Sequence, residues 1–348
     1  MRAVVFHAKE DVRVEEIVEP EPGPGEVKLR NAFAGICGSD LHVYFSPEAA
    51  GVDFAHPHPL TGALPPQVLG HEFSGTVVAI GDGVTNLATG DRVAVWPVYY
   101  CGECAACRKG MFNACRTIAF HGLNAHGGGM SKFTTVPASK VHRLPDNVSL
   151  QLGALVEPMA VAWHAVRRSG IVAGQRALIA GAGPIGIGVW LALRARGVDD
   201  VLVSEPSAPR RAAIQALGAT VVDPVSDDVG TAVDAATGGD GVDAAFDAAG
   251  VGPAFASALA NLTPGGRAIV AAIHERPLEF LPTQLVIGET EIAGTLAYLP
   301  QDFDEVIAAM AEGKYDITGW VDEIGYDEVV ATFGELRAGR GMKMLVRN

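Results

Sequence analysis

Residues 176–206 read RALIAGAGPIGIGVWLALRARGVDDVLVSEP, and their order decides the fold. Residues 177–180 are apolar and short, which predicts a buried strand. Gly181-Ala182-Gly183-Pro184-Ile185-Gly186 follows directly, a G-x-G-x-x-G turn. Residues 185–196 have helical spacing, and residues 201–205 predict a second strand ending in an acid, Glu205. A glycine hexamer alone is weak evidence, but strand, turn, helix and acid-tipped strand together mark a dinucleotide site. Gly181 permits the tight turn, Gly183 lets backbone approach a pyrophosphate, and Gly186 lets helix pack closely on strand. The helix N-terminus adds orphan N–H donors and partial positive charge. Glu205 lies nineteen residues beyond Gly186, near the spacing of about 20 for an acid that meets the adenosine ribose. A carboxylate there repels a 2′-phosphate, which favours NAD over NADP. Arg210 and Arg211 are the residues that could receive that phosphate instead.

Working outward, the alternation continues with a helix over 208–217 and strands over 220–222, 243–248 and 268–273. A further helix is expected over 253–262, and one over 152–169 precedes the series. Strand–helix alternation calls for a parallel sheet with right-handed crossovers. The first third differs. Short apolar runs at 2–7, 27–33, 75–80 and 91–96 are separated by turn signals such as PEPGPG, which predicts a β-rich domain. The chain is therefore expected to be α/β, a β-rich domain plus a doubly wound parallel sheet.

The 348 residues are 49% hydrophobic, enough for a packed core and about two domains. The formal net charge of −14 disfavours nucleic acid as a partner. The longest charge-free apolar run, residues 177–193, is too short and too glycine-rich to span a bilayer. With no targeting signal at the amino end, the chain is expected to be soluble and cytoplasmic, with no membrane partner.

Four of the five cysteines crowd together as Cys101-x2-Cys104-x2-Cys107-x7-Cys115, while Cys37 stands alone. Short C-x2-C spacings let one loop wrap a zinc ion, and four protein ligands close the site to substrate. This lobe is expected to be structural. A second constellation comprises Cys37 in GICGSDLH, His71 and Glu72 in GHE, and Glu157 in VEP. One thiolate, one imidazole and a carboxylate hold zinc while leaving a position open, which is a catalytic arrangement. Either Glu72 or Glu157 supplies the carboxylate, and the other sits behind it. Individually, His71 and Cys37 read as core residues; together, beside a nicotinamide-type fold, they read as ligands.

GICGSDLH, GHEFSGTV, the four-cysteine lobe, Glu157-Pro158 and GAGPIG fall in an order that resembles the zinc-dependent medium-chain dehydrogenases. Carboxylate in place of a second catalytic cysteine resembles the polyol branch. The stretch from His58 to Gly75, with CGECAACRKGMFNAC and ALVEPMAVAWHAV, is similar to the (R,R)-2,3-butanediol dehydrogenases within it. The resemblance implies a GroES-like catalytic domain over residues 1–153, completed by 298–348. It implies a Rossmann NAD-binding domain over 154–297, with the active site in the cleft. It further implies hydride transfer between NAD(H) and a vicinal diol or hydroxyketone, with one catalytic and one structural zinc. The second oxygen of a vicinal diol is expected to meet the metal or Glu157.

In such enzymes the hydroxyl proton leaves through a serine, the cofactor ribose and a histidine, the two side chains matched here by Ser39 and His42. Alternatively, Ser39 caps a helix beginning near Asp40. Ile185 is expected near the pyrophosphate and Arg210 against the adenosine. Ala271, Ile273, Thr295 and Ala297 are expected to bring backbone to the nicotinamide. Ala297-Tyr298 stands where sorbitol dehydrogenases have an Arg-Tyr pair, which argues against a long polyol. Sorbitol, threonine or another secondary alcohol is the alternative substrate, and an NAD-binding sensor the alternative outside catalysis. The branch implies a homodimer or homotetramer. His56 and His58, between prolines, are expected to face solvent.

Overall fold

The computed structural model describes every residue except Ala49. The chain forms two compact units. Met1–Glu157, Leu299–Ala311 and Trp320–Asn348 make up one; Pro158–Tyr298 and Glu312–Gly319 make up the other.

The first unit is β-rich. Its largest sheet is organised by the strand Glu26–Gly35, which pairs antiparallel with Glu72–Ile80, Phe133–Pro137 and Lys343–Arg347. Val27, Leu29, Phe73, Val77, Val93 and Val346 bury their side chains in one core with Phe6, Met130 and Phe333. The register decides what meets what. Gly35 is opposite Glu72 on one side and Leu345 on the other. The chain that leaves Gly35 toward Cys37 therefore passes both His71-Glu72 and Lys343, residues far apart in sequence.

The second unit is a six-stranded parallel sheet. Its spatial order is Thr220–Val222, Asp200–Ser204, Arg176–Ala180, Val242–Asp247, Leu262–Val270, Glu291–Gly294. Numbered along the chain, that is 3-2-1-4-5-6, the doubly wound order whose switch point lies beside the first strand. Ala180 pairs with both Ser204 and Asp247, Asp247 with Val270, and Val270 with Gly294. The carboxyl ends of five strands thus lie in one row. Gly181, Glu205, Ala271 and Thr295 each follow immediately after a member of that row.

Several expected boundaries move. The acid-tipped strand ends at Ser204, so Glu205 begins the turn. The strand expected over 268–273 starts at Leu262 and stops at Val270. Pro264-Gly265-Gly266 is absorbed there as a register shift against Val242 and Ala244. A helix at Val229–Thr237 was masked by small and polar residues; Asp228 caps it by accepting the Thr231 N–H at 2.7 Å. Among the described residues no helix is long and apolar enough to cross a membrane.

Candidate active site and metal centres

In the four-cysteine lobe, the Cys101, Cys104, Cys107 and Cys115 sulfurs converge. Cys101–Cys107, Cys104–Cys107 and Cys101–Cys115 are separated by 3.9, 3.6 and 3.6 Å. Four sulfurs about 2.3 Å from a zinc ion would lie about 3.8 Å apart along the tetrahedron's edges. A disulfide would need about 2.05 Å. The lobe's spacing fits a metal and excludes cross-linking. Backbone donors are aimed at the sulfurs: the Cys101 N–H reaches Cys115 Sγ at 3.3 Å, and the Cys104 N–H reaches Cys101 Sγ at 3.4 Å. The backbone N–H groups of Cys107 and Arg116 hold the Cys104 thiol down at about 6, which favours the thiolate a metal requires.

The second constellation assembles at the end of the Glu26–Gly35 strand. One ligand atom each from Cys37, His71 and Glu72 lies within 4.8 Å of the others. His71 and Glu72 are buried and Cys37 is half-buried. Glu157, also buried, is not among those three, yet its charge acts on His71. Cys37 caps the helix Gly38–Phe45, and Asp40 accepts the Cys37 N–H at 2.8 Å. This corrects the capping alternative for Ser39: the helix begins at Gly38, so Ser39 lies inside its first turn. Ser39 and His42, three apart, share a face of that helix.

Ser39 Oγ is 3.1 Å from His71 Nε2, while Nδ1 of the same ring faces Asp40 Oδ1 at 3.7 Å. Both Nδ1 and that carboxylate oxygen are buried without a hydrogen bond. Asp40 thus stands on the Nδ1 side of the ring, where an outer carboxylate of a metal-binding histidine acts, and Ser39 stands on the Nε2 side. Burial raises Asp40 to about 6, against the opposing pull of His71 and the Cys37 N–H. Burial pulls His71 down, but Asp40, Cys37 and Glu157 outweigh it and set the imidazole at about 10. A buried group of carboxylates and one thiol that draws positive charge this strongly fits a metal cation.

Lys343 escaped the sequence reading. It is 2% exposed and pairs with Glu72 Oε2, while donating to the Ile36 carbonyl at 2.9 Å. Burial lowers its pKa, but Glu72, Cys37 and Glu157 reverse that and hold it above the ordinary lysine range. His58 corrects another expectation. It is half-buried, its Nδ1 accepts the Leu60 N–H at 3.3 Å, and burial pulls its pKa down; of the two loop histidines, His56 is the exposed one.

In the second unit, Gly181 adopts φ 108°, a conformation for glycine, and its N–H donates to the Ser204 carbonyl at 2.8 Å. A Cβ at Gly186 would come within 1.9 Å of the Gly181 carbonyl oxygen. Gly183 caps the helix Pro184–Ala195 in extended backbone, with Ile185 in its first turn. Glu205 is buried and already accepts two backbone N–H groups, Ala182 at 2.7 Å and Ser207 at 2.8 Å. A carboxylate has about four acceptor sites, so capacity for ribose hydroxyls remains. Arg211 is tied to Asp223 at 2.7 Å and to the Glu205 and Pro206 carbonyls. Arg210 lies over the turn, a guanidinium nitrogen 4.0 Å from where a Gly183 Cβ would stand, and its buried Nε has no partner. Thr295 donates its N–H to the Val270 carbonyl at 3.2 Å, and the Ala271 N–H donates to the Asp247 carbonyl at 2.9 Å. Ile273 is exposed, and Ala297 takes a positive φ of 45°.

This combination defines a metal-binding, nucleotide-binding dehydrogenase, and comparison with known proteins agrees. Residues 23–146 match the alcohol dehydrogenase GroES-like domain, and residues 184–312 match the zinc-binding dehydrogenase domain. The chain belongs to this zinc-binding alcohol dehydrogenase family. It is 40% identical over 352 residues to (R,R)-butanediol dehydrogenase of Bacillus subtilis (strain 168), covering 100% of this chain and 99% of that one. The crystal structure of 2R,3R-butanediol dehydrogenase from Bacillus subtilis superimposes with a TM-score of 0.91 at 38% identity, covering 100% and 99%. A zinc-binding dehydrogenase structure from Sinorhizobium meliloti 1021, bound to NADP, matches at 0.90 and 28%. An alcohol dehydrogenase of Escherichia coli CFT073, complexed with NADH, matches at 0.88 and 26%. Both of the latter cover 100% of this chain and 99% of the other.

Proposed function

We propose that this chain transfers hydride between NAD(H) and a vicinal diol or hydroxyketone, with (R,R)-2,3-butanediol and acetoin as the pair. The observation that carries the proposal is the convergence of Cys37, His71 and Glu72 within 4.8 Å, in a chain 40% identical to a butanediol dehydrogenase. Cys37, His71 and Glu72 hold the catalytic zinc in this reading, with Glu157 beside them. Cys101, Cys104, Cys107 and Cys115 hold a structural one. When bound, zinc supplies a Lewis acid that lowers the substrate hydroxyl's pKa, and the nicotinamide supplies the hydride acceptor.

The chain's own residues do the rest. Asp40 keeps the imidazole of His71 oriented with Nε2 forward. With Nε2 committed to a metal, Ser39 Oγ would give up its 3.1 Å contact with the ring, and its hydroxyl would accept the substrate's proton as it passes its own on. His42, on the same helix face, is the later member of the relay and passes the proton on. Gly181, Gly183, Ile185 and Gly186 cradle the pyrophosphate. Glu205 meets the ribose, and Arg210 lies against the adenosine. Ala271, Ile273, Thr295 and Ala297 border the nicotinamide. Glu205 supports NAD as the cofactor, because its carboxylate repels a 2′-phosphate; of the two arginines that could receive that phosphate, Arg211 is already committed to Asp223 and Arg210 remains. We further propose a cytoplasmic homodimer or homotetramer: the resemblance to the branch supports the oligomer, and among the described residues no helix is long and apolar enough to cross a membrane.

The test is reduction of acetoin with NADH and, separately, NADPH, with products resolved by chirality and zinc counted per chain. (R,R)-butanediol formed with NADH and two zinc ions per chain is the expected result. Equal rates on ethanol, or a preference for NADPH, would overturn the substrate or cofactor assignment respectively.

A further inference from the structure

The pair between Lys343 and Glu72 asks for a reason. Both side chains are almost wholly buried, at 2% and 1% exposure. Burying an ion pair costs about as much desolvation as it returns, and a well-packed apolar pair would serve stability at least as well. The pair is nonetheless built with care. Gly35 makes room for it: a Cβ there would come 1.9 Å from Glu72 Oε2 and 3.1 Å from Lys343 Cε. The lysine is fixed from a second side by the Ile36 carbonyl at 2.9 Å. Its donation is specific to Oε2, while Glu72 Oε1 is buried with no hydrogen-bond partner.

We propose that Lys343 is a positioning residue that limits Glu72 to one oxygen at the metal. With Oε2 held, only Oε1 is offered, so the carboxylate cannot chelate through both oxygens and a coordination position stays open to substrate. The ammonium also neutralises part of Glu72's charge, so the ion remains a stronger Lewis acid than three buried carboxylates and the half-buried Cys37 thiolate would otherwise leave it. This inference rests on the reading that Cys37, His71 and Glu72 form the zinc site.

Holoenzyme is compared as wild type, Lys343→Met and Lys343→Arg. Three quantities are read: metals per chain, the visible absorption of the cobalt-exchanged catalytic site, and kcat and KM for the diol. Lys343→Met is expected to keep both metals, because Glu72 is freed to bind more fully. Its cobalt band should weaken and shift as the coordination number rises. kcat/KM should fall about 10- to 100-fold, the range seen when an outer partner of a metal ligand is removed. Lys343→Arg should restore the band and most of the rate. An unchanged cobalt spectrum and rate in Lys343→Met overturns the proposal. So does loss of the catalytic metal from that variant, since the lysine would then assemble the site and not restrain it. Should Lys343→Met fail to fold, a crystal structure of the zinc-loaded wild type decides: Glu72 bound through both oxygens refutes the assignment. Failure of the underlying reading looks different, because Cys37→Ser would then carry as much zinc as wild type.

Discussion

Gly183 and Gly186 sit three residues apart in one motif, yet substitution by alanine should harm different things. Gly183 has φ −70° and ψ −177°, which any residue adopts, and an added Cβ meets nothing nearer than an Arg210 nitrogen at 4.0 Å. Gly183→Ala should therefore leave the fold intact, or stabilise it by about 0.4–1 kcal/mol through the unfolded chain. The same methyl stands where a pyrophosphate must approach the backbone. Losing one hydrogen bond to a charged group costs about 1.5–3 kcal/mol, so NADH should bind roughly 10- to 150-fold more weakly. At Gly186 the methyl would lie 1.9 Å from the Gly181 oxygen and 2.8 Å from its carbonyl carbon, both backbone atoms. Overpacking of this kind costs about 1–3 kcal/mol, a fall of roughly 2–12 °C in Tm for a domain of this size. Scanning calorimetry and NADH fluorescence titration separate the two effects. Wild-type NADH affinity in Gly183→Ala, or a Tm loss there as large as in Gly186→Ala, would refute the assignment of the turn.

Three other perturbations have definite outcomes. Ser39→Ala should lower kcat by about 100-fold, the lower end for a lost proton-transfer group, with zinc content unchanged; an unaltered kcat in steady-state assays removes Ser39 from the relay. Cys104→Ser should cost one zinc per chain and lower Tm while the second unit still binds NADH; metal analysis showing two zinc ions would contradict the lobe's role. His121 is held at about 3, chiefly by burial and also by Lys140 and His126, so unfolding takes up a proton below its ordinary value. Its contribution is complete above pH 6.5 and is lost as the pH falls toward 3, about 2 kcal/mol by pH 5. Denaturant unfolding at pH 7 and pH 5 should show that loss in wild type and not in His121→Gln.

What the sequence displays and what it hides follow from the range of the interactions. The Gly181–Gly186 turn and the four-cysteine lobe are local, because one loop supplies every group and spacing alone reports them. The pairing of Cys37 with His71 and Glu72 is set by the antiparallel register of Glu26–Gly35 on Glu72–Ile80. Residue types suggested this group, but only the sheet brings it together. Lys343 was illegible for the same reason, since its partner is fixed by a ladder between Lys343–Arg347 and Phe33–Gly35. Strand alternation did carry a faint signal, placing Lys343 on the face of the fully buried Leu345. Asp40 had a local signal that went unused, an acid three residues after a helix cap, where it accepts the cap's N–H.

The central claim is that the carboxylate-containing cluster at Cys37, and not the lobe, holds the zinc that supports turnover. Its most direct measurement is zinc per chain, together with NADH-dependent reduction of acetoin, for wild type and Cys37→Ser. Wild type should hold two zinc ions and form (R,R)-butanediol, while Cys37→Ser should hold one and form none. Two zinc ions and undiminished turnover in Cys37→Ser would contradict the account.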